Sequence, residues 1–323
     1  MLYVWVYLKM SKVVFCLIGP TASGKTDLAI ELVDKYPFEI ISIDSAMIYR
    51  EMNIGTAKPS QEILSTVPHH LIDIIDPIGS YSVANCLSDI ENLCEDIISR
   101  QKIPLLVGGT MMYFNAVQNG LSQLPTASKE NRLEVLSDME KYGLKFLHQQ
   151  LQEVDPISAA KINENDSQRI QRAIEVYRIT GKPLSSLILD SKNKLNFDFV
   201  NLCLVPENRS WLHNRIEQRF KIMLTEGLIY EAEQLLVKWR LDVSMPAMRC
   251  VGYRQVLEYI SGNIDYNLMV ENGIAATRQL AKRQLTWLRK WPNANIFFAD
   301  NQSNLLEIME LITKILDNPS PGK

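Results

Sequence analysis

No run in this 323-residue sequence is apolar over the length that a membrane-spanning helix requires, which is ~18 to 20 residues. The apolar start, residues 1–9, is shorter and carries neither a basic leader nor a small-residue cleavage site. We therefore expect no signal peptide, and we expect these residues to be an extension outside the fold. The lack of a long apolar run predicts a protein with no membrane partner.

Paired cysteines are also missing. None of the five cysteines forms a Cys-x-x-Cys pattern, and they are scattered along the chain at Cys16, Cys86, Cys94, Cys203 and Cys250. An odd, unpaired set argues for a reducing compartment and against a structural zinc ion. We therefore expect a cytoplasmic protein without a zinc site.

A net positive charge is lacking as well. The chain has 34 Lys and Arg against 37 Asp and Glu, which gives a net charge of −3. A protein that holds nucleic acid by bulk charge is normally basic, so any nucleic-acid partner has to be held by local clusters. Because 46% of the residues are hydrophobic, the chain can bury a substantial core, which predicts one large domain and a smaller one.

The first motif is a glycine-bounded loop between a predicted strand and a predicted helix. Residues 13–18 are apolar and indicate a buried parallel strand, and residues 28–33 continue at helical spacing. Backbone N–H groups of such a loop form an anion nest at a helix N-terminus, which favours a diphosphate. Lys25 is expected to reach the terminal phosphate oxygens, and the Thr26 hydroxyl to ligate Mg²⁺. The predicted diphosphate site comprises Gly19, Pro20, Thr21, Ala22, Ser23, Gly24, Lys25 and Thr26.

Two more predicted strands end beside this loop. Residues 38–43 are followed by Asp44, which is the candidate catalytic carboxylate because residues past the carboxyl ends of parallel strands face the ligand crevice. Residues 105–107 are followed by Gly108-Gly109-Thr110 instead of the acid that holds Mg²⁺ in many phosphate-loop ATPases. Residues 71–76 offer another acid, but this ending argues against an ATP-driven motor. The absence of an Asn-Lys-x-Asp motif argues against a GTPase.

From about residue 120 to residue 200 the strand–turn–helix pattern gives way to amphipathic helical spacing. Asp166 is a predicted N-cap, and Gly181 is predicted to end the same helix. The sequence thus predicts an α/β fold: a P-loop NTPase-like parallel sheet flanked by helices, with an inserted small helical domain. The predicted core comprises residues 10–119 and 201–323, and the inserted domain comprises residues 120–200.

Three local clusters are candidates for contact with RNA. The cluster at residues 249–254 combines arginines with a glycine and a tyrosine, which suits backbone contact and base stacking. The cluster at residues 282–289 lies on a helix whose residues 276–290 hold five Lys and Arg and no acid. At about 100° per residue, Arg278, Lys282 and Arg289 fall within about 40° of one another, which predicts an exposed basic stripe. The opposite, apolar side carries Ala276, Leu280, Trp287 and Trp291. The clusters are Gln168, Arg169, Ile170, Gln171 and Arg172; Arg249, Cys250, Val251, Gly252, Tyr253 and Arg254; and Lys282, Arg283, Gln284, Leu285, Thr286, Trp287, Leu288 and Arg289.

Together these motifs resemble those of the tRNA dimethylallyltransferases, from residue 12 to about residue 292. The resemblance rests on the glycine-bounded loop and on residues 44–49, 55–59, 107–110, 165–172, 180–183, 249–255 and 282–289. It implies transfer of a dimethylallyl group from its diphosphate, the co-substrate, to N6 of the adenosine immediately 3′ of the tRNA anticodon. It also implies an inserted domain that clamps the anticodon stem-loop. Met47 stands where many relatives have glutamine or leucine, and the lack of a zinc-finger pattern favours the bacterial form.

The resemblance also assigns roles. Asp44 is expected to act as general base, with Lys25 and Thr110 supporting the reaction at the diphosphate. The acceptor is expected to contact Asp44, Ser45, Ala46, Met47, Thr110 and Arg132. Arg215 and Arg219, one helical turn apart, are further candidates to face the diphosphate.

We expect a monomer. Two alternatives remain open: a small-molecule or nucleotide kinase, which would use Mg²⁺ and ATP, and a nucleotide-gated RNA-binding module without chemistry.

Overall fold

A computed structural model describes residues 12–122, 124–125, 128–190, 192–243 and 245–317. The predicted extension, residues 1–9, lies outside these residues. The chain forms two compact units: one comprises the described residues of Met1–Asn115 and Asn196–Lys323, and the other those of Ala116–Leu195. The predicted domain limits at residues 120 and 200 stay a prediction.

The elements follow one another as strands and helices along the chain. The strands of the described residues are β1 (Val13–Ile18), β2 (Phe38–Ile43), β3 (His69–His70), β4 (Ile103–Gly108), β5 (Leu121–Ser122), β6 (Lys192–Asn193), β7 (Asp198–Val205) and β8 (Ala294–Phe298). The helices are α1 (Lys25–Lys35), α2 (Gln61–Thr66), α3 (Val83–Ser99), α4 (Met111–Asn119), α5 (Lys129–Tyr142), α6 (Leu144–Val154), α7 (Pro156–Lys161), α8 (Ser167–Thr180), α9 (Leu184–Asp190), α10 (Arg209–Thr225), α11 (Leu228–Trp239), α12 (Tyr253–Ile260), α13 (Tyr266–Leu288) and α14 (Asn304–Asp317), with a 3₁₀ turn at Pro246–Arg249. None of the described helices combines the length and the apolar character needed to cross a bilayer.

The larger unit is built on a parallel six-stranded sheet in the order β3-β2-β4-β1-β7-β8. Every residue of β1, β2 and β4 is buried, as expected for parallel strands covered on both faces. On one face, Leu28 and Leu32 of α1 and Ile308 and Ile312 of α14 pack into the same core as Phe15. The predicted parallel sheet flanked by helices is thus confirmed.

The register of the central strands aligns the points where they end. Ile18 of β1 and Ile43 of β2 are both paired with Gly108 of β4. The residues that follow these three strands therefore lie side by side at one edge of the sheet. A Cβ atom at Gly108 would overlap the carbonyl of Ile43, so glycine is required for β4 to approach β2 this closely.

A second core joins α10–α13 to the loop that follows β2. Its fully buried centre includes Tyr253. The Glu231 carboxylate of α11 accepts hydrogen bonds from the backbone N–H groups of Asn53, Ile54 and Gly55 at 2.8–3.2 Å. The buried Lys58 ammonium donates to the Asp73 carboxylate at 2.5 Å and to the Tyr49 carbonyl at 2.9 Å. These contacts fix the loop that begins just after β2.

The smaller unit packs α5–α9 around its own apolar core. Asp166 caps α8 by accepting from the N–H of Arg169 at 3.1 Å, and Gly181 ends the helix at φ +67°, so both predicted helix limits are confirmed. The segment is not purely helical, because β5 and β6 form a short antiparallel pair. Each of these strands has only two residues, which is too short for a period-two pattern to identify.

Candidate functional site

The glycine-bounded loop forms a cradle at the start of α1. Gly24, at φ +88°, precedes the first residue of the helix, and Ala22 is also left-handed at φ +62°. A Cβ atom at Gly19 would lie 2.9 Å from the Leu204 carbonyl oxygen, so only glycine fits at this position. The first N–H groups of a helix have no partner inside it, which leaves those of α1 for an anion.

Lys25 lies within this cradle. Its ammonium donates a hydrogen bond to the Pro20 carbonyl at 3.1 Å. Burial lowers the pKa of Lys25 to about 8, with the positive charge of Arg219 adding to the effect and Asp44 opposing it. The loop, the candidate base and a second cation thus act on one another electrostatically.

Asp44 is fixed in a turn directly after β2. Its Oδ1 accepts hydrogen bonds from the backbone N–H groups of Ala46 at 2.8 Å and Met47 at 3.3 Å. The next residue, Ser45, donates its N–H to the Thr110 hydroxyl at 3.1 Å. The residues predicted from the ends of two separate strands, Asp44 and Thr110, are therefore joined through Ser45.

One arginine of α10 contacts the loop, and a second acts electrostatically on Lys25. The Arg215 Nε donates to the Ala22 carbonyl at 2.9 Å, and its guanidinium stacks on the Trp211 ring at 4.9 Å. Burial lowers the pKa of the half-buried Arg219, and Asp44 acts in the opposite direction. The sequence indicated this pair only through its one-turn spacing.

The buried face of α13 lies only partly where the apolar pattern predicted it: Trp291, just after the helix, is buried, and Ala276 and Leu280 are half-buried. Trp287 is 43% exposed, whereas Ala281, Gln284 and Leu288 are buried. Arg278 is half-buried and donates to the Glu217 carboxylate of α10 at 2.9 Å, so the predicted exposed basic stripe does not extend to this position. The exposed members of the cluster are Lys282, Arg283, Thr286, Trp287 and Arg289, while Leu285 is half-buried.

Gln284 requires a second correction, because it was expected among the RNA contacts. Its Oε1 accepts from the N–H of Thr21 in the loop at 3.0 Å, and its Nε2 donates to the Gly109 carbonyl at 2.9 Å. At about 100° per residue, Gln284 lies about 120° from Arg278 around the helix. This angle can be calculated from the sequence alone, and it indicates that the Gln284 side chain points away from the basic stripe.

The cluster around Gly252 divides into exposed and buried parts. Arg249 and Arg254 are exposed. Tyr253 is fully buried and donates its hydroxyl to Glu231 at 2.5 Å, which corrects the expectation that its ring stacks on a base. Burial raises the pKa of the half-buried Cys250 thiol to about 12, so the thiol is neutral at pH 7.

In the smaller unit, the predicted cluster surrounds a buried acid. Glu175 accepts from the Gln171 amide at 2.8 Å and lies 3.6 Å from the Arg132 Nε and 3.7 Å from the Arg172 guanidinium. Gln168 and Arg169 are exposed. Ile170 is fully buried in the core, so its expected contact with RNA is corrected to a packing role.

Comparison with known proteins gives consistent results. The IPP transferase family model matches residues 47–291, and the isopentenyl transferase model matches residues 12–75. A tRNA dimethylallyltransferase of Legionella pneumophila (strain Corby) is 57% identical over 309 residues, which cover 96% of this chain and 99% of the relative.

Two solved structures are similar over nearly the whole chain. The tRNA isopentenylpyrophosphate transferase of Bacillus halodurans is 34% identical with a TM-score of 0.70, covering 95% of this chain and 97% of the other. A eukaryotic dimethylallyltransferase acting on tRNA is 27% identical with a TM-score of 0.81, covering 97% and 81%. The chain therefore belongs to the IPP transferase family, the family of the tRNA dimethylallyltransferases.

Proposed function

We propose that this protein transfers a dimethylallyl group from dimethylallyl diphosphate to N6 of the adenosine immediately 3′ of the anticodon in tRNA, and releases diphosphate. One observation carries the assignment of the site. The strand register aligns the phosphate loop, the Asp44 turn and the Gly109-Thr110 strand end at one edge of the sheet. A leaving anion and a proton acceptor are both needed for this transfer, and this edge supplies a place for each.

The donor side is the loop. Its N–H groups, Lys25 and the two arginines of α10 would stabilise the negative charge that grows on the departing diphosphate. Below pH 8 the Lys25 ammonium is charged, because its pKa is about 8. The loss of one such preorganised donor typically costs about 3–4 kcal/mol, or roughly 10²- to 10³-fold in rate.

Thr26 is suited to be the magnesium ligand that the family resemblance implies. Its hydroxyl lies half-buried in the first turn of α1, and among the described residues no side chain or carbonyl hydrogen-bonds to it. Mg²⁺ commonly takes few protein oxygens beside substrate phosphates and waters. When bound with the diphosphate, the ion would neutralise part of the charge of the leaving group.

The acceptor side is Asp44. The lone pair of the adenine N6 amine is delocalised into the ring, so attack on the allylic carbon requires that the amine lose a proton. Asp44 accepts that proton as general base, while the N–H groups of Ala46 and Met47 hold its Oδ1 in place. Ser45 and Thr110, which are joined by a hydrogen bond directly after Asp44, would contact the acceptor.

RNA is held by exposed cations rather than by net charge. Lys282, Arg283 and Arg289 at the C-terminal end of α13, together with Arg249 and Arg254, are exposed and suit contact with phosphates. The target base has to leave the stack to react, at a cost of a few kcal/mol, which the backbone contacts offset. In the smaller unit, the exposed Arg132 and Arg169 supply further cations, whereas Arg172 is half-buried beside Glu175.

The test is incubation of the purified protein with unmodified tRNA and labelled dimethylallyl diphosphate, with Mg²⁺ and without ATP. We expect the label in the RNA, at the adenosine next to the anticodon. A kinase would leave the RNA unlabelled and would consume ATP on a small-molecule acceptor. An RNA-binding module without chemistry would bind the tRNA and label nothing.

A further inference from the structure

Gln284 occupies a position that RNA contact does not explain. Its side chain is buried on the inner side of α13. Its neighbours in the sequence include two exposed cations, Arg283 before it and Arg289 after it. Both halves of its amide are used: Oε1 accepts from the Thr21 N–H at 3.0 Å, and Nε2 donates to the Gly109 carbonyl at 2.9 Å. One side chain of α13 therefore joins the phosphate loop to the end of β4.

The tip of the loop also packs against α13. Ala22, at φ +62°, is buried in a small cluster with Ala281 of α13 and with Leu212 and Ile216 of α10. Leu285 of α13 packs against the same cluster. The path of the loop at Thr21 and Ala22 consequently depends on the position of α13, through both hydrogen bonds and apolar contacts.

The glycine after β4 makes room for this arrangement. A Cβ atom at Gly109 would overlap the Gln284 amide and would lie 3.1 Å from the Gly19 carbonyl oxygen. Gly19 in turn donates its N–H to the Gly108 carbonyl at 3.2 Å. Gly109 thus lets Gln284 reach the point where the loop leaves the sheet.

From these contacts we infer that Gln284 is a positioning residue that couples RNA binding on the outer side of α13 to diphosphate binding in the loop. The inference rests on the proposed function, which assigns RNA to α13 and dimethylallyl diphosphate to the loop. Phosphates that contact Lys282, Arg283 and Arg289 fix the C-terminal part of α13. Gln284 then holds Thr21 and Gly109 in the geometry that receives the diphosphate. Coupling between two binding sites is reciprocal, so the bound diphosphate also favours RNA.

The decisive measurement is the affinity for an unreactive analogue of the donor, dimethylallyl thiolodiphosphate, by calorimetry with Mg²⁺. Each protein is titrated without RNA and with a saturating unmodified anticodon stem-loop. Gln284→Met keeps the approximate volume of the side chain and removes both hydrogen bonds. The matched control is Gln279→Met, the same change at an exposed position of the same helix.

For the wild type and Q279M, we expect RNA to tighten analogue binding by at least about 5-fold. For Q284M we expect this ratio to fall to near 1, with the RNA affinity of the free protein within about 2-fold of the wild type. A structural role alone would weaken analogue binding equally with and without RNA. Such a preserved ratio, or a ratio of 1 in the wild type, would overturn the inference.

Failure of the proposed function would look different. If the wild type neither binds the analogue nor prenylates tRNA, the assignment of the loop to dimethylallyl diphosphate is wrong. If the wild type does both and Q284M retains the wild-type ratio, only the inference about Gln284 is wrong.

Discussion

The candidate base is held by its own segment of the chain, because two backbone N–H groups donate to one oxygen of Asp44. The neighbouring Ser45 N–H is fixed by Thr110 in the same way.

Asp44→Asn keeps the shape of the side chain and an oxygen that can accept the N–H groups of Ala46 and Met47. It removes the proton acceptor. We expect turnover to fall by about 10²- to 10⁴-fold, with tRNA affinity within a few-fold of the wild type. Transfer of labelled dimethylallyl groups and a tRNA binding curve measure the two quantities. A large loss of tRNA affinity would instead make Asp44 a binding residue.

The pKa of Lys25, lowered to about 8, predicts an alkaline limit for donor use. Below this pH the free enzyme carries the ammonium charge that attracts the diphosphate, and above it the charge is lost. We therefore expect kcat/KM for dimethylallyl diphosphate to fall as the pH rises through about 8. Lys25→Arg stays charged over this range, so its alkaline fall should disappear, whatever its absolute rate. The same fall in K25R would assign the limit to another group.

At the scale of the elements, the ends of the strands determine what the site contains. The glycines after β4 are needed for space: Gly108 faces the Ile43 carbonyl and Gly109 faces the Gln284 amide. The sequence predicted this ending only as the absence of a metal-binding acid. The atoms that leave room only for glycine belong to residues far away in the chain, so no local sequence pattern predicts them.

This difference in neighbours predicts different effects on stability. Gly108→Ala forces a Cβ atom into backbone that cannot move without disturbing β2, and such overpacking typically costs about 1–3 kcal/mol. Gly109→Ala meets the far end of a flexible side chain, so we expect the smaller loss of stability and a higher KM for dimethylallyl diphosphate. Thermal denaturation of the two variants measures the order. A greater loss of stability in G109A than in G108A would contradict it.

The outer side of α13 predicts a salt effect. Replacing both Lys282 and Arg289 by alanine should weaken tRNA binding and reduce the steepness of log K against log salt by roughly 1.4 to 1.8, since each phosphate contact contributes about 0.7 to 0.9. Arg278→Ala is the control, because this side chain is paired with Glu217. We expect R278A to leave the slope unchanged. An unchanged slope in the double variant would remove this face of α13 from the RNA interface.

Over the whole molecule, a net charge of −3 is compatible with RNA binding because the exposed cations are grouped. Local sequence was sufficient for the strand–loop–helix order around Gly19–Thr26, for the positions where β2 and β4 end and for the limits of α8, since each follows from neighbours in the chain. It was insufficient for Gln284, Arg278 and Tyr253, whose orientation depends on contacts with distant segments. A helical pattern predicts an apolar face, but it does not show which polar side chains that face will also bury.

In the proposed reaction, the loop holds a prenyl diphosphate that leaves intact when the adenine N6 attacks. The most direct measurement is the stoichiometry of products in an ATP-free reaction of the wild type with unmodified tRNA and dimethylallyl diphosphate. We expect one diphosphate for each prenylated adenosine and no orthophosphate. Orthophosphate as the stoichiometric product, or prenylation that requires ATP, would rule out the proposed transfer.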